Sequence, residues 1–490
     1  MTLIEMLIAT AVSLILMAAV AQVFAAFSGA MSNGRSILET DSRLRNVARR
    51  LRDDLNGTTT QMLPPRSPDQ GEGYFEVIEG PLNDYQDASP GGSALVSGTT
   101  TEVCPTDIDD VLLFTTRDTE SPFVGRLLSN TIESSTAEVA WFARPTPGTS
   151  NPVTYTLYRK QLLVMGYVGR APFLNEATDG IDNNGNGLID ESIETTPGTN
   201  NTLAFSNYGG TWTGFYAAPC DISARRERRT TAVPFDRLVP NTLSDLTRRE
   251  NRFLHNPMGG TTGNTFPYAF ASDFDFNGNN ILDPGTPGVG DDINNNAVLD
   301  FDHLSPSPPE GLIFDGTTRR GEDIILSNVL AFDVRVFDPA APIGLSGSTA
   351  IVPGDTGSVG GSGSGAYVDL GHGVASNSLL TSPTITPYFS QPTRQVGGTN
   401  DSLTRTYCTW STHYEADGIN QDSENDAFFD EGTDGLDNAP VNSLVDESSE
   451  QETQPPYALP LRGIEVRIRV YEPKSRQVRQ VTVRHTFVPH

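Results

Sequence analysis

Lysine is almost missing from this chain of 490 residues, which has only Lys160 and Lys474. Acidic residues outnumber basic ones by 61 to 33, and the formal net charge is −28. Phosphate recognition requires basic patches, so this balance argues against nucleic acid as a main partner. It argues equally against docking onto anionic lipid head groups. An enzyme whose active site requires a lysine would have only these two candidates.

Cysteine is also scarce, with only Cys104, Cys220 and Cys408. An odd, sparse count excludes a disulfide scaffold, and there is no CxxC pair. One disulfide with any of three pairings stays open, because its geometry cannot be read from sequence. The motifs HExxH, GxSxG and the P-loop are absent, and the six histidines are scattered. We therefore predict a protein that is not an enzyme.

The N-terminal segment is the most informative part of the chain. No charged residue occurs from Met6 to Gly34, a stretch long enough for a helix to cross a bilayer. A secretory signal would need a basic start and a shorter apolar run. The pattern predicts a membrane-spanning helix.

Glu5 is the anomaly in this segment. A carboxylate inside an apolar membrane helix is costly unless it has a partner, so it indicates a function. The nearest candidate partner is the α-amino group at Met1 of a neighbouring copy of the chain.

The order Met1-Thr2-Leu3-Ile4-Glu5 ahead of the apolar run resembles the mature N-terminus of type IV pilins and type II secretion pseudopilins. The resemblance implies that Met1 is the mature first residue, left and methylated after a prepilin peptidase removes a leader. It also implies that Met1 and Glu5 direct assembly with other pilin or pseudopilin subunits. The arginine-rich stretch ending in RRLRDDL is similar to J-type, or W-type, minor pilins.

The helix is expected to continue past the membrane. Leu44, Val47, Leu51 and Leu55 recur at spacings of three and four, which indicates one apolar helix face. Asn56-Gly57 is a suitable end for a helix. We predict a helical segment over 1–56, with 1–28 in the membrane or the filament core.

The remainder, 57–490, is predicted to be an extracellular β-rich head. Alternating apolar residues predict strands, which are Val111–Thr116, Val139–Phe142, Tyr155–Tyr158, Leu162–Val168, Ile324–Phe337 and a C-terminal hairpin from Ile464 to Phe487. Large Asp/Asn/Gly-rich or Gly/Ser-rich loop insertions are expected near 175–195, 271–303, 343–366 and 415–448, with 343–366 flexible. The predicted class is α+β, a long N-terminal helix packed on an antiparallel sheet.

Three acidic segments share the pattern D-x-N-x-N-x-h-h-D, in which h is an apolar residue. Such loops direct side-chain and carbonyl oxygens inward, as Ca²⁺ requires. The pattern resembles the EF-hand loop but has Ile193 in place of its last glutamate. The expected ligands are Asp182, Asn184, Asn186, Leu188, Asp190, Glu191, Asp275, Asn277, Asn279, Ile281, Asp283, Asp292, Asn294, Asn296, Val298 and Asp300.

The charge distribution favours calcium over the alternative of solvated, metal-free Asx turns. The windows 179–191, 273–302 and 415–447 hold 4, 7 and 11 acidic residues and no Lys or Arg. Crowding so many carboxylates without cations is costly. We expect several structural Ca²⁺ ions in the head.

These features together predict a structural subunit of a type IV pilus-like or type II secretion-like filament. The resemblance implies partners in the prepilin peptidase, the inner-membrane assembly machinery and other subunits. The chain would lie in the inner membrane before assembly, then in an extracellular or periplasmic filament. A pilus-tip adhesin or ligand-binding surface protein that uses the helix as an anchor is the alternative.

Overall fold

The computed structural model describes one long helix and a β-rich head that follows it. The described residues are 2–79, 107–108, 110–127, 130–146, 154–166, 221–227, 237–248, 251–253, 322–346, 349–353, 363–372, 388–389, 406–411, 457 and 459–488.

Helix α1 runs without a break over Leu3–Asn56, 54 residues and about 81 Å at 1.5 Å per residue. It passes through Gly29 and Gly34, although each glycine costs about 1 kcal/mol relative to alanine. Gly57 follows as the C-cap, and its amide donates to the Asp53 carbonyl at 3.2 Å. The predicted helix end at Asn56-Gly57 is confirmed.

The described strands are β1 (Phe75–Ile78), β2 (Val111–Arg117), β3 (Phe123–Leu127), β4 (Asn130–Ser134), β5 (Thr136–Pro145), β6 (Tyr155–Leu163), β7 (Ala224–Glu227), β8 (Arg237–Pro240), β9 (Ile324–Ser346), β10 (Thr349–Ile351), β11 (Gly363–Val368), β12 (Thr406–Cys408), β13 (Gly463–Glu472) and β14 (Gln477–Thr486). The main sheet is antiparallel with the order β12-β1-β2-β5-β6-β9-β13-β14, and β10 and β11 also pair with β9. Hairpins β3–β4 and β7–β8 form two small sheets. The fold class is α+β, as predicted.

Strand β9 carries a fork along one of its edges. Val329 pairs with β13 and with β6, and Val336 pairs with β13 and with β11. Because a strand has only two edges, β6 and β11 share the edge opposite β13. We call the stretch of that edge between Val329 and Val336 the fork.

The segment 343–366 was predicted to be a flexible loop, and this is wrong over three stretches. Residues 343–346 end β9, 349–351 form β10, and 363–366 begin β11. The edge of β9 offers backbone hydrogen bonds whatever the side chains are. Glycine also serves the pairing, since Gly365 has φ of +97° where the register shifts between Ser364 and Ala366.

The core lies between the second half of α1 and the main sheet. The predicted helix face is confirmed, because Leu44, Val47, Leu51 and Leu55 are each at most 3% exposed. Ala48, on the same helix, is equally buried. Against this face pack apolar side chains of the sheet such as Val334, Val466 and Ile468, all fully buried. The helix therefore joins the head as one of its packed layers.

A projecting helix and a buried acidic fork

The first part of α1 presents an apolar surface that the head does not cover. The described side chains from Thr2 to Arg35 are all exposed. The helix is long and apolar enough to cross a membrane, and the apolar window is 0% buried. A helix hydrophobic on all sides needs lipid or other protein around it.

Glu5 caps the start of this apolar helix. The backbone amide of Thr2 donates to Glu5 Oε2 at 2.9 Å, which satisfies one of the amides that a helix start leaves open. The carboxylate thus lies next to the N-terminus of its own chain. Met1, the expected partner from a neighbouring copy, lies outside the described residues.

The C-terminal end of α1 is fixed to the sheet through Asp54. Arg159 of β6 donates to both carboxylate oxygens, from Nε at 2.7 Å and from Nη2 at 2.8 Å, and Trp141 Nε1 of β5 donates at 3.1 Å. Asp54 is 2% exposed. A buried, bidentate Arg–carboxylate pair fixes the orientation of the helix end as well as its position.

Gly57 allows the chain to turn tightly against β2. A Cβ at this position would lie 2.3 Å from Thr116 Oγ1 and 2.5 Å from the Arg117 carbonyl oxygen. The Arg117 amide donates to the Gly57 carbonyl at 2.7 Å. The helix therefore ends in direct backbone contact with a central strand.

A second buried polar group, around Glu138 of β5, has the character of a structural network. Tyr74, Ser223 and the Phe253 amide all donate to Glu138, at 2.6–2.8 Å. Burial raises the pKa of Glu138, although these hydrogen bonds oppose the rise. Both oxygens are engaged and the residue is 2% exposed, so it has no open face for a substrate.

Cys408 belongs to a similar network. Its thiol accepts a hydrogen bond from Arg252 Nη1 at 2.9 Å and forms no disulfide. Cys104 and Cys220 lie outside the described residues.

Five buried acids meet in the fork. Glu79 follows β1, Asp107 and Asp110 precede β2, Asp333 lies in β9 and Asp369 follows β11. All are between 1% and 3% exposed. Antiparallel pairing of β1 with β2, and of β11 with β9, brings these strand ends together.

Carboxylate oxygens in the fork lie close enough to share an ion. One oxygen from each of Glu79, Asp107 and Asp369 lies within 4.8 Å of the others. Asp107 forms a second such group with Asp110 and Asp333. Asp107 is common to both groups.

Backbone hydrogen bonds hold the segment of Asp107 and Asp110 in the fork. The Phe332 amide donates to the Asp107 carbonyl at 3.0 Å, and the Val334 amide donates to Asp110 Oδ2 at 2.5 Å. This segment therefore pairs with the fork, the stretch of that β9 edge between the part paired with β6 and the part paired with β11.

Two arginines pair with acids of the fork other than Asp107. Arg335 Nε is 3.2 Å from Asp369 Oδ1, and Arg467 Nη1 is 3.6 Å from Asp333 Oδ2. Neither carboxylate oxygen of Asp107 has a hydrogen-bond partner among the described residues. Burial, and then the charges of neighbouring acids led by Asp110, raise the pKa of Asp107 well above its usual range.

The calcium ligands expected from sequence, over 182–191, 275–283 and 292–300, lie outside the described residues. Sequence reasoning missed the fork instead. The available signal was the run Asp107-Ile108-Asp109-Asp110 directly before an apolar strand, with Asp333 and Arg335 alternating inside β9.

Comparison with protein-family models, with curated proteins and with solved structures finds no match for this chain.

Proposed function

We propose that the protein is a non-enzymatic subunit of a type IV pilus-like or type II secretion-like filament. The observation that carries the proposal is the two-part helix. Its first part is apolar and exposed with Glu5 at the start, and its second part is a packed layer of the head. Such a helix can enter a filament core without unfolding the head.

The mechanism follows from the cost of the Glu5 charge. Among the described residues, the Thr2 amide of the same chain donates to the carboxylate, and in the inner membrane this hydrogen bond would offset a part of the cost. The N-terminal amine of a neighbouring subunit would supply a full opposite charge in a region of low dielectric constant. Pairing then favours transfer from lipid to a bundle of helices. The head would be carried on the outside of the filament, in the periplasm or outside the cell.

Calcium is a part of this proposal. The acidic loops at 182–191, 275–283 and 292–300 carry oxygen ligands with the spacing of calcium loops. Bound Ca²⁺ would offset the concentrated negative charge and order loops of low apolar content.

The test compares Glu5→Gln with Glu39→Gln. Glu39 is an acid of the same helix whose side chain is 58% exposed and pairs with Arg43. Glu5→Gln should still insert in the membrane but enter sheared filaments about tenfold less, a change equivalent to about 1.4 kcal/mol. Glu39→Gln should enter as the wild type does.

Immunoblots of the sheared and membrane fractions measure both quantities. If Glu5→Gln entered filaments at the wild-type level, pairing of the Glu5 charge could not drive assembly.

A further inference from the structure

The buried fork is a strongly acidic site. Among the described residues, Arg335 lies 3.2 Å from Asp369, whereas Arg467 lies 3.6 Å from Asp333 and closer, at 2.8 Å, to Glu465 of β13. Burying unpaired charge is costly, so buried carboxylates are paired, protonated or bound to metal.

The acid at the centre of the fork is Asp107. It is 2% exposed, and neither of its carboxylate oxygens accepts a hydrogen bond within the described part of the chain. Both oxygen groups that can converge on an ion include it. A carboxylate so placed, between acids and sealed from water, is stabilised by a bound cation or by a proton.

We infer that the fork binds one Ca²⁺ ion through Asp107, with further oxygens from the surrounding acids. Its proposed ligands are different residues from those of the acidic loops, and the inference does not depend on filament assembly. The ion would join the ends of β1, β2 and β11 to the middle of β9.

Size and chemistry favour Ca²⁺ over other common ions. Two oxygens bound to one Ca²⁺ at 2.3–2.6 Å are at most about 4.6–5.2 Å apart, and within each of the two groups of three acids the oxygens lie within 4.8 Å of one another. Zinc sites use mainly histidine and cysteine, whereas these ligands are all carboxylates. Mg²⁺ usually keeps several waters, for which a site at most 3% exposed is poorly suited.

A single ion can serve both oxygen groups, because Asp107 belongs to each of them. The competing state is a metal-free cluster in which the acids share protons.

The experiment counts Ca²⁺ bound per chain, by equilibrium dialysis of the full-length protein in detergent micelles against CaCl₂. Asp107→Asn removes the shared ligand. Glu79→Gln is the second variant, because its amide oxygen can still accept the hydrogen bond from the Leu370 amide, which is 3.2 Å long in the wild type. Glu120→Gln, in the exposed turn after β2, is the matched control.

We expect Asp107→Asn and Glu79→Gln each to bind one Ca²⁺ fewer than the wild type, and Glu120→Gln to bind the same number. The result is the difference in bound Ca²⁺ between each variant and the wild type. Ions held by the acidic loops are present in both proteins and do not change this difference. In MgCl₂ alone, all four proteins should bind equal numbers of ions.

A second readout separates metal from shared protons. With a metal site, Asp107→Asn melts at a lower temperature than the wild type in Ca²⁺. In a metal-free cluster, Asp107→Asn removes the repulsion between Asp107 and the neighbouring carboxylates. The variant would then melt at the same temperature as the wild type or at a higher one. Equal Ca²⁺ counts in the wild type and both fork variants would overturn the inference, and Glu79→Gln decides alone if Asp107→Asn does not fold. A loss of one bound Mg²⁺ would overturn the assignment to calcium.

Discussion

At the scale of the residue, Asp53 and Asp54 are neighbours in very different surroundings. Asp54 is 2% exposed and is held by Arg159 and Trp141, whereas the Asp53 side chain is 60% exposed and lies 3.8 Å from Arg49. We expect Asp54→Ala to lower the free energy of unfolding by about 3–5 kcal/mol, because Arg159 stays buried without its carboxylate. Asp53→Ala should change it by at most about 1 kcal/mol.

Melting of the two full-length variants in detergent micelles measures this difference. Equal shifts would mean that Asp54 does not fix the helix to the sheet.

This pair also shows where reading single residues from sequence stops. The apolar spacing located the buried helix face, and Asp54 lies between two of its members, Leu51 and Leu55. An acid at the border of an apolar stripe is normally solvated. Only the tertiary structure supplies Arg159, which is 105 residues away along the chain.

At the scale of the element, α1 divides into two halves, and a leucine-to-alanine substitution should affect a different property in each half. Leu51 is fully buried, and Leu14 is 68% exposed. Leu51→Ala should cost about 2–5 kcal/mol of head stability through the cavity it leaves. Leu14→Ala should leave the melting temperature unchanged but reduce entry into filaments, because the proposed assembly would bury Leu14.

Melting and the filament-shearing assay are run on both variants. A destabilised head in Leu14→Ala would show that the first half of α1 already packs in the isolated chain.

Strands were predictable where apolar residues alternate. The hairpin of β13 and β14 is confirmed, because one sheet face is apolar and the other is charged. The candidates Tyr155–Tyr158 and Leu162–Val168 are joined in β6, which ends at Leu163. The stretch of β9 past Phe337 was not predictable, because its pairing depends on a partner edge rather than on its own side chains.

At the scale of the whole molecule, chelation tests the proposed role of calcium. EGTA should lower the melting temperature of the full-length protein, because an ion bound only by the folded state stabilises it. The fall should persist in Asp107→Asn if the acidic loops also bind Ca²⁺. EGTA saturated with Ca²⁺ beforehand is the control.

Melting curves with and without free EGTA provide the measurement. An unchanged melting temperature would leave metal-free Asx turns as the account of the loops.

The fork could not be predicted at this scale from the sequence. Its acids come from four parts of the chain, with Glu79 and Asp369 separated by 290 positions. Local patterns locate a calcium loop because one short segment supplies most ligands. A site assembled from strand ends depends on the strand order, and neither composition nor periodicity contains that order.

The uninterrupted course of α1 has a mechanical consequence. Tension applied at Leu3 travels about 60 Å along the helix axis before it reaches the buried helix face that begins at Leu44. It also reaches the head at Gly57, which is bonded to β2. Strand β2 lies inside the sheet between β1 and β5, and not at its rim. Withdrawal of the helix from lipid would therefore load the sheet as a shear shared among several strands, which resists rupture better than peeling of one outer strand.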